Sequence, residues 1–463
     1  RAANAVAREP AARALADEAV AAAREACARD PRWADAAELL ATALCTQASD
    51  EKIRGDYDGA RKTLDEAVAA ASRALELAAT DPGHRGQGAT RARRFHARAG
   101  VRFQQLDDKA ALADLDAALR LAPRDPDILA QRAYALQQSG DHEGAIRDFD
   151  RLYDVTNDVD HLFRQGFGWQ RIGDARADVA DREGAVGAYA KALDVYGTGL
   201  ARGATRADYP TYRGETYARR ARWLSDGARE ADWRAAEADF GDALRRAPGD
   251  AETLLRRAEM WLARRDAKRA YDDAKAAIGG RKDRTPRFYA RLAKAAMGRA
   301  RDEGAAGSAA VAQAFAGEAL ENARRARDLL PEPAADIVPL VAEAYVCAAA
   351  VEADGRAVDD ALAACEALLE PLVATNDARP PDEAARVRAT VAYVRAGAAL
   401  ARRDAATALR LAREAVDVHA AEAAAHRWYE DALFVERFAD ALDATGDAVG
   451  ATAERARASR LPR

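Results

Sequence analysis

The chain has 463 residues, too many for one ordinary globular core and a suitable length for a linear array. Apolar residues make up 49% but aromatics only 6%, with alanine the commonest type, a mixture that suits close helix crossings on small side chains. The net charge is −5 with both signs mixed along every segment, which leaves no basic footprint for nucleic acid and no polyacidic tail.

Pro10 suits a first helical turn, and a helix is predicted over 11–28, ended by Asp30-Pro31, as an N-terminal capping element in 1–31. The N-terminal repeats follow, over 32–196. Residues 32–47 read as a helix. Gly55-Asp56 opens the next, with Ala60, Leu64 and Ala67 as its stripe; Asp81-Pro82-Gly83 stops it, and 84–90 reads as a loop. Segments 91–105 and 109–122 pair next. Residues 126–155 are the most regular stretch: Leu129, Ala133 and Leu136 share one helical face, Ala145, Phe149 and Leu152 another, and Ser139-Gly140-Asp141 turns the chain between them. Longer helices are predicted at 161–179 and 183–196. Residues 197–210, rich in glycine and turn formers, read as an insertion loop. The middle repeats, 211–330, pair 212–228 with 233–247, 251–264 with 267–278, and 286–301 with 309–330. The C-terminal repeats, 331–463, pair 334–351 with 356–373, 382–402 with 405–419, and 424–444 with 448–461. No stretch alternates as a strand would.

One spacing recurs on the second helix of most pairs: Ala, three residues, a core residue, two residues, then Ala or Leu. Ala111, Leu115 and Ala118 show it, as do Ala145, Phe149 and Leu152; Ala236, Phe240 and Ala243; and Ala319, Ala323 and Ala326. Pro123, Pro248 and Pro331 stand five residues after three of these. A small residue is needed where the two helices cross most closely, a larger one fills the gap to the next pair, and proline ends the second helix. The spacing resembles that of the tetratricopeptide repeat family, over about ten units. The resemblance implies an all-α, right-handed superhelical α-solenoid of stacked antiparallel helix pairs, its first helices lining a concave groove where peptides or partner helices bind. The first helices depart from the family: its Leu-Gly pair is Arg132-Ala133 in the best unit and Arg257-Ala258 in another.

Groove candidates lie opposite the core stripe of the first helices. In the best unit these are Tyr134, Gln137 and Gln138; the following units offer Arg164, Arg171, Arg222, Arg256, Glu259 and Tyr289. Tyr, Gln and Arg can hydrogen-bond an extended backbone, and tyrosine adds apolar area at low entropy cost; an ordinary solvated face is the competing reading. The Lys and Asn set of the family's carboxylate-clamp subgroup has no match here. The region of particular interest is 134–223, which includes the 197–210 stretch.

No phosphate loop, nucleophile elbow, kinase signature or metal-ligand spacing is present, so neither a cofactor nor an enzymatic activity is expected. Cys27, Cys45, Cys347 and Cys365 form no CxxC and read as small core residues in a reducing compartment, hence a cytoplasmic protein; eight of the 71 basic residues are lysine, a bias that reads as a GC-rich bacterial source. No apolar run approaches the ~20 residues a membrane span needs. The expected function is a non-enzymatic protein-protein interaction scaffold that binds a protein or peptide partner in the groove, with no nucleic acid and no membrane. The alternative is a regulatory region of a larger bacterial protein, motivated by a chain that opens at Arg1 without Met; the remainder of its own chain is then a candidate partner.

Overall fold

The structure is a computed structural model that describes residues 9–80, 88–179, 181–279, 285–330, 337–352, 354–374, 381–424 and 432–458. The stop at Asp81-Pro82-Gly83, Pro331 and most of the 84–90 loop lie outside the described residues, although Gly88 already begins a helix. Among the described residues there are twenty-one helices and no strand. The first, α1 (Glu9–Arg29), buries only Ala16, Val20 and Ala23. The rest follow in pairs: α2 (Ala34–Ile53) with α3 (Tyr57–Thr80), α4 (Gly88–Gln104) with α5 (Asp108–Leu121), α6 (Pro126–Ser139) with α7 (His142–Thr156), and α8 (Val159–Asp178) with α9 (Arg182–Ala201). Then come α10 (Asp208–Ala221) with α11 (Asp226–Arg246), α12 (Ala251–Ala263) with α13 (Ala267–Gly279), and α14 (Pro286–Ala305) with α15 (Ala309–Asp328). The last are α16 (Ile337–Val351) with α17 (Gly355–Ala374), α18 (Pro381–Ala401) with α19 (Ala405–Ala424), and α20 (Ala432–Ala444) with α21 (Ala448–Ala458).

The chain forms two compact units, residues 1–168 and 169–463, which divide inside α8 and not at the 197–210 stretch. First helices pack on their own second helices; between first helices, α2 reaches α4 in the first unit, and α10, α12, α14, α16, α18 and α20 touch in succession in the second. Among the described residues no second helix makes comparable contact with the next second helix, so from α10 to α20 the first helices alone form a continuous layer.

The repeated spacing explains this packing. Ala60, Ala111, Ala145, Ala185, Ala236, Ala270, Ala319, Ala408 and Ala451 are all buried, as are Leu115, Phe149, Phe240 and Ala323. Methyl groups at the crossing let the helices approach, and the large residue fills the space beside it. The turns inside the pairs share a second device. Gly55, Gly140 and Gly446 adopt positive φ, and the aspartate after each caps the next helix: Asp56 accepts from the Gly59 amide at 2.9 Å, Asp141 from Gly144 at 2.8 Å and Asp447 from Gly450 at 2.8 Å. Leu106, Arg265 and Arg403 hold the same left-handed conformation without being glycine.

The departure from Leu-Gly on the first helices has a partner on the second. Arg132 forks onto Asp148, Nε and Nη2 each donating at 2.7 Å; Arg98 does so onto Asp114 at 2.9 and 2.7 Å, and Arg257 onto Asp273 at 2.7 Å twice. In all three the arginine precedes the small crossing residue and the aspartate, sixteen positions on, precedes the core residue. The α10–α11 pair carries two such forks, Arg213 on Asp239 and Arg220 on Asp232. Among the described residues, every buried aspartate is in one of these forks. A planar guanidinium matches both carboxylate oxygens, so the fork fixes rotation and stagger of one helix on the other.

The 197–210 loop shrinks to Arg202–Ala207, because α9 runs to Ala201 and α10 begins at Asp208. Gly199 is a packing glycine, not a breaker: a Cβ there would lie 2.2 Å from Cε1 of the buried Tyr209. Pro210 falls in the first turn of α10, where its missing N–H costs no helical bond.

Removing Asp148 leaves Arg132 largely buried beside the exposed Asp116 alone. Asp148→Ala is expected to cost about 3 kcal/mol in urea unfolding, while Arg132→Met with Asp148→Leu recovers most of it. A double variant no more stable than the single one would contradict the fork.

Candidate functional site

The groove candidates named from the sequence lie on or just beyond the first helices. In the first unit, Tyr134 on α6 is 39% exposed. Its ring meets Phe149 edge-on at 5.4 Å, and the Arg164 guanidinium of α8 lies 5.3 Å from its centroid. Phe149 stacks in turn on His161 at 6.3 Å. Burial lowers the His161 pKa against the pull of Asp158 and Asp160, so the imidazole is neutral at pH 7. Gln138 is exposed and Gln137 half-buried.

The first unit also holds a set of buried polar atoms of which the sequence reading named only Gln137. Oε1 of Gln104, Gln131 and Gln137, Nε2 of Gln165 and Nδ1 of His161 are buried without a hydrogen-bond partner among the described residues. Gln165 is only 5% exposed. All five belong to first helices, α4, α6 and α8. Gln131 lies over Gly100, where no side chain of α4 competes with it. Each such group costs about 1–3 kcal/mol while unpaired. The recurrence of glutamine on these helices was the available signal.

In the second unit the same layer is closed on itself. Asp174 accepts from Arg171 at 3.2 Å and from Arg219 at 2.7 Å; Arg219 also reaches Glu215 at 2.7 Å. Glu215 pairs with Arg256, Arg256 with Glu252 at 2.9 Å, and Glu252 with Arg287 at 2.9 Å. Arg287 continues to Glu259 at 3.1 Å, which Arg291 closes at 2.8 Å. The charges alternate without a gap across α8, α10, α12 and α14. Arg256 also lies 4.5 Å over the Tyr212 ring, and Tyr189 donates to Asp174 at 2.8 Å. Arg171, Arg256 and Glu259, three groove candidates from the sequence, are therefore brought together as members of one ladder. Arg222 caps the C-terminus of α10, half-buried. Tyr289 is a correction: at 5% exposure it sits in the apolar core with Leu292 and Ala293, because the buried stripe of α14 is wider than the spacing suggested.

Farther along, α14, α16, α17, α18 and α20 line a cavity of about 880 Å³. Tyr393 donates to Glu343 at 3.0 Å and accepts from Arg437 at 3.1 Å. Gly397 makes room for that guanidinium, since a Cβ there would overlap Arg437 Nη1. Burial pushes the Cys347 thiol on the wall up to about 11, which keeps it protonated at neutral pH. No sequence signal marked this place, which lies outside the 134–223 region. Among the described residues no three of His, Cys, Asp and Glu are gathered as metal ligands, and no helix is long and apolar enough to cross a membrane.

Burial works to raise the Glu215 pKa, but Arg219 and Arg256 outweigh it, and the carboxyl is held below its ordinary value. Its contribution is thus complete above about pH 4.3 and lost as pH falls through the lower, folded value. Urea midpoints measured from pH 7 to 2 should fall in the acid range, and Glu215→Gln, already weakened at neutral pH, should fall less steeply. Parallel profiles would contradict the ladder.

No protein-family model matches the chain. A stretch of 82 residues, 18% of this chain, is 39% identical to the heat-shock protein cognate (HSC) co-chaperone sgt12 of Aspergillus fumigatus, and the match spans 22% of that protein's length. Among solved structures, a tetratricopeptide repeat protein from Parabacteroides merdae is similar over 65% of this chain and 97% of that one, with a TM-score of 0.42 and 15% identity. A monomeric mutant of IFIT1 solved with Gppp-AAAA is similar over 91% and 90%, with a TM-score of 0.46 and 12% identity. The C-terminal part of a TPR repeat-containing protein from Cytophaga hutchinsonii is similar over 58% and 99%, with a TM-score of 0.41 and 14% identity. Among the described residues each unit is an array of helix pairs, and the repeat spacing is similar to that of tetratricopeptide repeat proteins.

Proposed function

We propose that the chain is a non-enzymatic protein-interaction scaffold, and that the first-helix layer of residues 88–168 grips an extended partner segment. The observation that carries this reading is the set of buried, unpaired polar atoms on Gln104, Gln131, Gln137, His161 and Gln165. A side-chain amide offers one acceptor and two donors, the complement of a peptide main chain in extended form. Tyr134, backed by Phe149 and Arg164, offers the apolar contact between those hydrogen bonds. Gln138 stands exposed beside it. To pair with a segment these side chains would turn outward, which relieves the desolvation cost that the buried atoms carry in the free protein.

The same cost supplies a test. Gln131→Leu with Gln165→Leu should raise the melting temperature of the free protein, because two unpaired buried polar groups are replaced by apolar ones. A photo-crosslinking residue at Gln138 should give a discrete protein adduct in cells of the source organism, and the double leucine variant should abolish it. An adduct that survives in the double variant would move the binding site off this face.

A further inference from the structure

The cavity in the second unit has a charge pattern that the scaffold reading does not use. Five carboxylates line it, and three already face a guanidinium: Glu343 with Arg437, Glu436 with Arg265, and Asp440 with Arg455. Glu352 accepts from the Gln313 amide at 2.6 Å. Three guanidiniums on the wall, Arg301, Arg402 and Arg403, form no ion pair among the described residues, and neither does the Asp359 carboxylate. Guanidiniums thus outnumber carboxylates three to one among the wall charges without an ion pair or amide partner. Between them the wall is apolar, with Met297, Val346, Val358 and Leu400.

Arg403 adds an independent observation. It holds φ +59°, the left-handed conformation that Gly55, Gly140 and Gly446 occupy in corresponding turns. An L-residue with a side chain costs about 1–2 kcal/mol there. Leu106 and Arg265 share the conformation, so the backbone alone marks nothing. At Arg403 the strained position coincides with a cavity wall and a free cation, the pairing of strain and charge found at ligand sites.

We propose that this cavity binds a small organic anion, an apolar body carrying one carboxylate or sulfonate. The volume lies within the ~300–1,000 Å³ of small-molecule sites. The apolar wall takes the body, and Arg301, Arg402 and Arg403 take the acid. Arg437 and Tyr393, fixed by Glu343 and the space over Gly397, are the rigid floor and keep their own partners. This site goes beyond the segment-binding reading and does not depend on it.

The full chain is titrated with 8-anilinonaphthalene-1-sulfonate, followed by fluorescence, with decanoate, decanol and decyltrimethylammonium as competitors. Saturable one-to-one binding is expected, displaced by decanoate and far less by the neutral and cationic analogues. Arg403→Gly suits the positive φ and should keep or raise the melting temperature; combined with Arg301→Gln it should weaken binding about tenfold. Ala350→Trp, at an exposed wall position, should block the cavity without touching a charge. Absence of saturable binding overturns the proposal. So does displacement that is indifferent to ligand charge, or affinity unchanged within about twofold in both the charge and the blocking variants.

Discussion

Nine alternating charges hold the middle of the first-helix layer together, from Arg171 through Glu215 and Arg256 to Arg291. Each helix in that layer meets its neighbours through groups that cannot slide. A shift of one residue along α12 would carry Arg256 away from both Glu215 and Glu252. Apolar packing between alanine-rich helices tolerates such a shift, because methyl groups are small and alike. The charges therefore supply the register that the core, built largely from alanine, specifies weakly. The forks do the same across each pair, from Arg98 on Asp114 to Arg257 on Asp273. Their contribution to net stability is modest, since burying charge has its own cost, but breaking one partner is expensive.

The consequence for function is an uneven surface. Where the ladder runs, most charged groups pair with one another, although Arg256 Nε is buried without a hydrogen-bond partner among the described residues. In residues 88–168 the equivalent layer carries side-chain amides with no partner, next to an exposed tyrosine. Around the cavity, Arg301, Arg402 and Arg403 form no ion pair among the described residues. Binding capacity follows from what the fold leaves unpaired, not from how many charged or aromatic residues line a face. Arg171, Arg256 and Glu259, groove candidates in the sequence, are engaged in the ion pairs of the ladder.

Most of the architecture was legible in the chain. The Ala, core, Ala spacing located the second helices, and Gly140-Asp141 located the best turn, because both reflect local sterics. The stretch 197–210 was misread because glycine has two uses: Gly199 admits the Tyr209 ring inside a helix, whereas Gly140 ends one. Tyr289 was misplaced because a helix buried on a broad face hides residues that a three-residue stripe leaves out. The departure Arg132-Ala133 was visible, but its meaning was not, since Asp148 lies sixteen positions away and only the crossing joins them. The ladder and the cavity depend on contacts between different pairs, up to 94 residues apart for Arg437 and Glu343, and local spacing carries no record of them.

The central physical claim is that charge pairing, not apolar packing alone, sets the stack of first helices. A double-mutant cycle on Glu215→Gln and Arg256→Gln, read by urea unfolding at pH 7, tests it most directly. The two residues should show a coupling energy of at least about 1 kcal/mol, because each substitution takes from the other one of its two ion-pair partners in a buried site. Additive effects, with a coupling indistinguishable from zero, would mean that the helices hold their stagger without the ladder.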